Sequence, residues 1–319
     1  MKNLNIKSTL LAFTLLTTLV SCDNDYADEK PTIANIAVTN AAFSTLEAAA
    51  IQGGVAVVLS NKNAGDPSGN FTVFAPTNDA FARLGLVDAG SLGALQNSFL
   101  TNTLLYHVSN GNLLANQIVA GGTSTSALSI KRRFISRGSD LYINGSKIIL
   151  TNVSASNGTV HGIDKVMIAT GANIVASAQA LATSAVFKSP ELTFLVAAVV
   201  KSGLAPTLSD PNANFTIYAP TDAAFKALGF KTIADVSATD AGTLRAILLN
   251  HAIGGGKFTS EQTALTATTA GGGTLTYSAF ANGTFTVKSN GTATPANMVI
   301  PDILCTNGIV HVIDKVLVP

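Results

Sequence analysis

Tryptophan is absent from this chain of 319 residues, cysteine occurs twice and charged residues make up only 12%. Each shortage excludes something. Without tryptophan, the commonest aromatic platform for stacking sugars is missing. Two cysteines, Cys22 and Cys305, build neither a disulfide framework nor a cysteine-rich zinc site. The charged fraction is about half of the roughly 25% usual for soluble domains. Net charge is +1, so no global field draws in nucleic acid or an acidic partner. Only four histidines occur, with no H-E-x-x-H and no G-x-S-x-G, so neither a metalloprotease helix nor a hydrolase nucleophile elbow is written here. The apolar run Leu10 to Val20 is too short to cross a bilayer as a folded helix.

What remains is a chain with 47% hydrophobic residues, enough for real cores, and a length that suggests about two domains. Lys2 and Lys7, the run Leu10–Val20 and then "LVSC" have the order of a secretory signal, expected over residues 1–21. A small residue before Cys22 resembles a bacterial lipobox, which implies lipidation of Cys22 and a membrane hold through that lipid; the alternative is an ordinary cleaved signal that contains a cysteine. Residues 22–31 carry "DNDYADEK", an acidic tether. It resembles the export signal that sends some Bacteroidetes-type lipoproteins outward, and reads equally as a solvated linker. Cys305, in "DILCTNG", is expected to be a small buried residue and not a nucleophile.

The chain writes itself twice. "NGTVHGIDKVMI" from Asn157 returns as "NGIVHVIDKVLV" from Asn307, and "NFTVFAPTNDAF" from Asn70 returns as "NFTIYAPTDAAF" from Asn214. His107 and His251 lie 144 residues apart, His161 and His311 150 apart, so the second copy carries a short insertion and every histidine sits at a repeat position. The expected domains are 32–169 and 172–319, each large enough for its own core.

Within each copy the pattern is readable. Phe71, Val73 and Ala75 alternate with Thr72 and Phe74, which predicts a strand that Pro76 ends. Thr77 and Thr221 stand where helix N-caps belong, with Asp79 and Asp222 in the first turn and Gly85 and Gly229 at the helix ends. Leu244, Ile247, Leu248 and His251 share one helical stripe, as do Leu100, Thr103, Leu104 and His107. "DLYINGSKIIL" predicts a hairpin turning at Asn144-Gly145. Helices early and strands late predict an α+β domain with a mainly antiparallel sheet or sandwich.

The "FAPT" block, the helix ending in "YH" and "NGxVHxIDKV", in that order and twice over, resemble the fasciclin-type domain across nearly all of 32–319. The resemblance implies two tandem domains, each a β-sandwich wedge with several packed α-helices, and extracellular adhesion without catalysis or cofactor. The family motifs fall on Phe71, Pro76, Thr77, Tyr106, His107, His161 and Asp164, and on Phe215, Pro220, Thr221, His251, His311 and Asp314. Some family members are credited with receptor binding through the motif tyrosine; Asn250 replaces it in the second copy and puts that role in doubt there.

Alternative chemistry has to be weighed against this. His161 and Asp164 are three apart on a strand and hence on opposite faces, so no metal site is expected. The histidines are expected to be hydrogen-bonded core members. The paired carboxylates of a glycosidase would be placed by the fold, and nothing in the sequence points to them. The run Lys131, Arg132, Arg133, Arg137 has no counterpart in copy two. It reads either as a contact for an anionic partner, such as an acidic polysaccharide, or as a solvated edge strand whose charges block aggregation. Sequon-like triplets such as Asn144-Gly145-Ser146 read as turn chemistry. The expected role is cell-envelope adhesion, at the outer membrane and facing outward or into the periplasm, with an extracellular protein or glycan as partner. The alternative is polysaccharide binding for nutrient capture or biofilm matrix, with a cryptic hydrolase as a minor third reading.

Overall fold

The computed structural model describes residues 30–183 and 191–319. The signal segment, Cys22 and most of the acidic tether lie outside the described residues. The first domain opens with three short helices, α1 (Ile33–Thr39), α2 (Ser44–Gln52) and α3 (Ala56–Leu59). Its strands are β1 (Phe71–Pro76), β2 (Val108–Asn110), β3 (Thr123–Thr125), β4 (Lys131–Arg137), β5 (Asp140–Ile143), β6 (Ser146–Ala155) and β7 (Gly158–Ile163). They form one sheet in the order β2-β1-β7-β6-β5-β4-β3. Strand β1 runs parallel to β7, and every other pairing in this sheet is antiparallel.

Alternation along β1 carries the logic of the fold. Val73 and Ala75 enter the cluster beneath the helices, with Phe43, Leu46 and Phe81. Phe74 enters a second cluster on the other face, with Tyr106, Phe134, Ile143 and Ile163. All six residues of β1 are therefore buried, because a central strand covered on both faces has no solvent side. Members of the second cluster come from β1 and β7 and also from β4 and β5, so the sheet folds over on itself into a wedge-like sandwich. Thr77 caps the helix Asn78–Ala82, its hydroxyl accepting the Ala80 N–H, and Thr221 caps Asp222–Ala227 by accepting from Ala224. The hairpin turns at Asn144, which holds φ 53°; in the second domain Asn282, also at φ 53°, lies in a different turn, within the loop between Tyr277 and Val287.

The second domain repeats the plan with β9 (Phe215–Pro220), β10 (Ala252–Gly254), β14 (Met298–Cys305) and β15 (Gly308–Ile313), and with a separate sheet of β11 (Thr266–Thr268), β12 (Thr274–Tyr277) and β13 (Val287–Ser289). Again β9 is parallel to β15. Strand β8 (Ile168–Ala169) departs from a simple tandem. It follows the last strand of the first domain, yet pairs in parallel with β14, and Ile168 is buried in the second domain's core. In the first domain β5 pairs with the start of β6, at Ser146 and Lys147, whereas β8 pairs with the far end of β14, at Ile303 and Leu304; β13 meets the segment before β14 only through the Val287–Ala296 bridge.

One expectation is corrected here. Strand β4, which carries the basic run, is not an edge: β3 lies outside it.

Candidate functional site

The repeated histidines are brackets. His107 ends the helix Asn97–Tyr106; its Nδ1 donates to the Thr103 carbonyl at 2.7 Å, and its Nε2 accepts the Met167 N–H at 3.0 Å. His251 repeats this with the Ile247 carbonyl at 2.8 Å and the Leu317 N–H at 2.8 Å. On the closing strands, His161 Nε2 donates to the Leu113 carbonyl at 2.8 Å and Nδ1 accepts from Asn152 N–H at 3.4 Å. His311 pairs likewise with the Lys257 carbonyl at 3.0 Å and Asp302 N–H at 3.0 Å. A carbonyl only accepts and an amide N–H only donates, so each ring is a neutral tautomer with both nitrogens committed. None is free as a base or a ligand. Among the described residues no group of three or more His, Cys, Asp or Glu side chains is placed to hold a metal ion. Truncating one ring strands its carbonyl and amide in the core, so His161→Ala is expected to cost about 1–3 kcal/mol, read as a lowered Tm.

Burial pulls the His107 and His251 imidazoles down to about 4, and lowers His161 and His311 as well. The unfolded rings titrate near 6.5 and the folded ones below it. Their contribution is therefore whole above about pH 6.5 and is lost as pH falls below it, for His107 and His251 down to about 4. For His107 and His251 the slope reaches about 1.4 kcal/mol per pH unit for each ring, and His161 and His311 act in the same direction. Urea midpoints at pH 7, 6 and 5 should fall in step, and a flat series would contradict buried neutral histidines.

The Asn-Gly pair ahead of each closing strand is equally occupied. Asn157 Oδ1 accepts the Ile33 N–H at 2.9 Å, and its Nδ2 donates to the Leu59 and Asn61 carbonyls at 2.8 and 2.7 Å. Asn307 repeats the set with Ile174 N–H at 2.9 Å and the Leu208 and Asp210 carbonyls at 2.9 and 3.0 Å. Each asparagine ties the closing hairpin to the first helix of its domain. Gly158 and Gly308 follow at φ 149° and 155°, pressed against the carbonyls of Phe71 and Phe215. Asp164 accepts the Lys147 N–H at 2.7 Å and Asp314 accepts the Asn297 N–H at 2.7 Å, which fastens the far end of each hairpin.

The Fasciclin domain family matches this chain twice, over residues 41–169 and 190–319. The chain belongs to the fasciclin domain family. It is similar to the transforming growth factor-beta-induced protein ig-h3 of Sus scrofa, 31% identical over 255 residues, 79% of this chain and 35% of that protein. It is similar to protein sll1483 of Synechocystis, 37% identical over 142 residues, 44% of this chain and 75% of that one. A solved FAS1 domain pair from the insect cell adhesion molecule Fasciclin I covers 90% of the chain at 16% identity and a TM-score of 0.40, with 96% of that chain covered. The chain spans about a third of the length of the ig-h3 protein.

In the first fasciclin domain the motif tyrosine is internal. Tyr106 is buried, its hydroxyl accepts from Asn144 Nδ2 at 2.8 Å, and burial pushes the phenol up to about 12. Asn250, its counterpart, is also buried and donates to the Leu317 carbonyl at 2.9 Å.

The basic run departs furthest from expectation. Arg132 is 0% exposed. Its guanidinium donates to the Tyr106 carbonyl at 2.8 Å, to Ser124 Oγ at 3.1 Å and to Ser109 Oγ, and lies over the rings of Phe74 and Tyr106. Burial lowers it to about 10, which leaves it charged at neutral pH. Arg133 reaches into the second fasciclin domain, to Glu261 at 2.9 Å and the Gly256 carbonyl at 3.2 Å, over the ring of Phe258. Arg137 donates to the Ser260 and Gln262 carbonyls at 3.2 and 2.7 Å and covers Phe280. All three arginines bond within the chain, Arg132 fully buried and Arg133 and Arg137 half-buried, and Lys131 is exposed. Arg132 is thereby closed to any outside anion, while Arg133 and Arg137 lie at the domain contact.

Lys165 completes the interdomain contact, and sequence reading passed over it. Its ammonium donates to Asp302 Oδ2 at 2.8 Å, Thr259 Oγ1 at 3.0 Å and the Gly283 carbonyl at 2.7 Å, all in the second domain. Asp302, left-handed at φ 67°, occupies the place that Asn152 at φ 59° holds in copy one. Both backbone amides donate to a closing-strand histidine, and both side chains accept from the first residue of a short 3₁₀ turn, Ala115 or Thr259. The amide-to-acid difference between copies was the available signal. Lys165 holds the Asp302 carboxylate below the usual carboxylate range against the effect of its burial. Cys305 is buried and donates to Ser177 Oγ at 3.2 Å, and burial pushes its thiol up.

Proposed function

We propose that this chain is a non-catalytic adhesion or extracellular interaction protein, held at the cell envelope by lipid on Cys22 and binding a protein or glycan through surface contacts. Membership of the fasciclin domain family, matched twice, carries the reading. Fasciclin-domain proteins are extracellular adhesion and interaction proteins. The full commitment of all four histidines to backbone partners supports the absence of acid–base chemistry at the repeated motifs. Among the described residues no helix is long and apolar enough to cross a membrane. The lipobox-like "LVSC" is what supports anchoring by lipid, with the protein at the outer membrane. The internal bonds of Arg132, Arg133 and Arg137 support the adhesion reading over polysaccharide binding through the basic run.

The test is a panel of extracellular proteins and glycans probed with the full chain, singly and clustered, at two salt concentrations. Saturable capture that strengthens on clustering supports a weak multivalent adhesin. Turnover of any ligand, abolished by changing one carboxylate with folding intact, overturns the non-catalytic reading. Incorporation of labelled palmitate that vanishes in Cys22→Ala tests the anchor.

A further inference from the structure

The two fasciclin domains differ sharply at one corner. In the first, helices α1, α2 and α3 expose Val38 (57%), Ile51 (64%), Val57 (72%) and Val58 (47%). A cavity of about 70 Å³ opens among the same helices, with Val38 and Ile51 on its lining and Glu47 as its charged neighbour. The second domain has the same scaffold. Ile33 and Ile174 stand in register through the asparagine bonds described above, and "IQGGVAVVLS" aligns with "VKSGLAPTLS". There the four positions are Gln179, Val200, Pro206 and Thr207, so three of the four have lost their exposed aliphatic group. The cavity is kept, at about 100 Å³. A cavity repeated in both domains belongs to the fold, whereas an aliphatic rim in one domain answers to something outside it.

The chain enters this corner from its N-terminal side. Cys22 lies ten residues before Thr32, the cap of α1, a span of at most about 35 Å even when fully extended. Lipid on Cys22 therefore keeps the corner within one domain's width of the bilayer. Four exposed aliphatic side chains on short helices are the means by which a monotopic surface enters the headgroup–acyl boundary.

We propose that the α1–α3 corner of the first domain docks on the lipid bilayer, with Val57, Val58, Ile51 and Val38 entering its interface. This deepens the anchoring reading and rests on it. Docking fixes the first domain against the membrane and turns the second domain toward the outside.

The test uses the full lipidated chain in vesicles of phosphatidylethanolamine and phosphatidylglycerol. An environment-sensitive fluorophore is attached at Val57→Cys, or at Pro206→Cys as the matched position in the second domain; Cys305 is buried and Cys22 carries lipid. Doxyl-lipid quenching several-fold stronger at position 57 than at 206 is expected, and adding Ile51→Asp should reduce quenching at 57 to the level at 206. Equal, weak quenching at both positions on protein that still floats with vesicles overturns docking and leaves the anchor intact. Failure to float removes the anchor and the docking together. A label at 57 shielded from water but not quenched by lipid, with a doubled particle mass, assigns the corner to a second copy of the chain and overturns the proposal.

Discussion

Arg132→Ala should cost the first domain about 3–5 kcal/mol, a large share of the roughly 5–15 kcal/mol that keeps an ordinary domain folded. Among the described residues the guanidinium has no carboxylate partner; it is held by one carbonyl, two serine hydroxyls and two ring faces. Removing it orphans those acceptors and leaves a cavity beside Phe74 and Tyr106. Arg132→Leu should be milder, because the β3–β4 and β11–β12 registers place Leu275 at the matching position of the second domain. Thermal unfolding with separate probes in each domain would resolve this, the first domain falling well before the second. If Arg132→Ala melted like the parent, the buried guanidinium would not be structural. Arg132→Glu with Arg133→Glu, the obvious probe of an anion-binding surface, would report unfolding instead of binding.

Gly158→Ala is expected to be as severe, at about 3–6 kcal/mol, and Gly308→Ala should act equally on the second domain. A Cβ at either position would fall inside the van der Waals shell of a neighbouring backbone carbonyl, Phe71 or Phe215, and the backbone angle is one that favours glycine. The parallel pairing of β1 with β7 would have to part at Phe71–Gly158 to make room. Loss of amide protection along β7 without loss along β15 is the expected hydrogen-exchange signature of the first variant. Unchanged exchange in both strands would mean that the backbone can yield where the packing says it cannot.

The readable parts of this fold were those in which local chemistry and tertiary structure agree. Thr77, Pro76 and the Asn144 turn act through neighbours a few residues away, so their roles can be read directly from spacing. The histidine stripe was visible too, because His107 and His251 fall on the apolar side of their helices. The basic run misled because sequence separates Arg133 from Glu261 by 128 residues, and nothing local distinguishes a guanidinium reaching for solvent from one reaching for another domain. Lys165 was hidden by the repeat itself: its counterpart Lys315 occupies the same motif and bonds the exposed Pro295 carbonyl, so identical letters have different partners. Strand β8 was illegible for a related reason. A two-residue strand has no periodicity, and its place was set by an edge that only the assembled second domain exposes.

That strand also determines how the chain bears load. A flexible connector between two domains would extend under tension before either domain felt it. Here the first domain ends inside the second domain's sheet, flanked by the Lys165 contact on one side and the Thr170 amide bond to the Leu304 carbonyl on the other. A pull between the first helix of one domain and the far side of the other would meet several hydrogen bonds resisting together, with no slack to take up first.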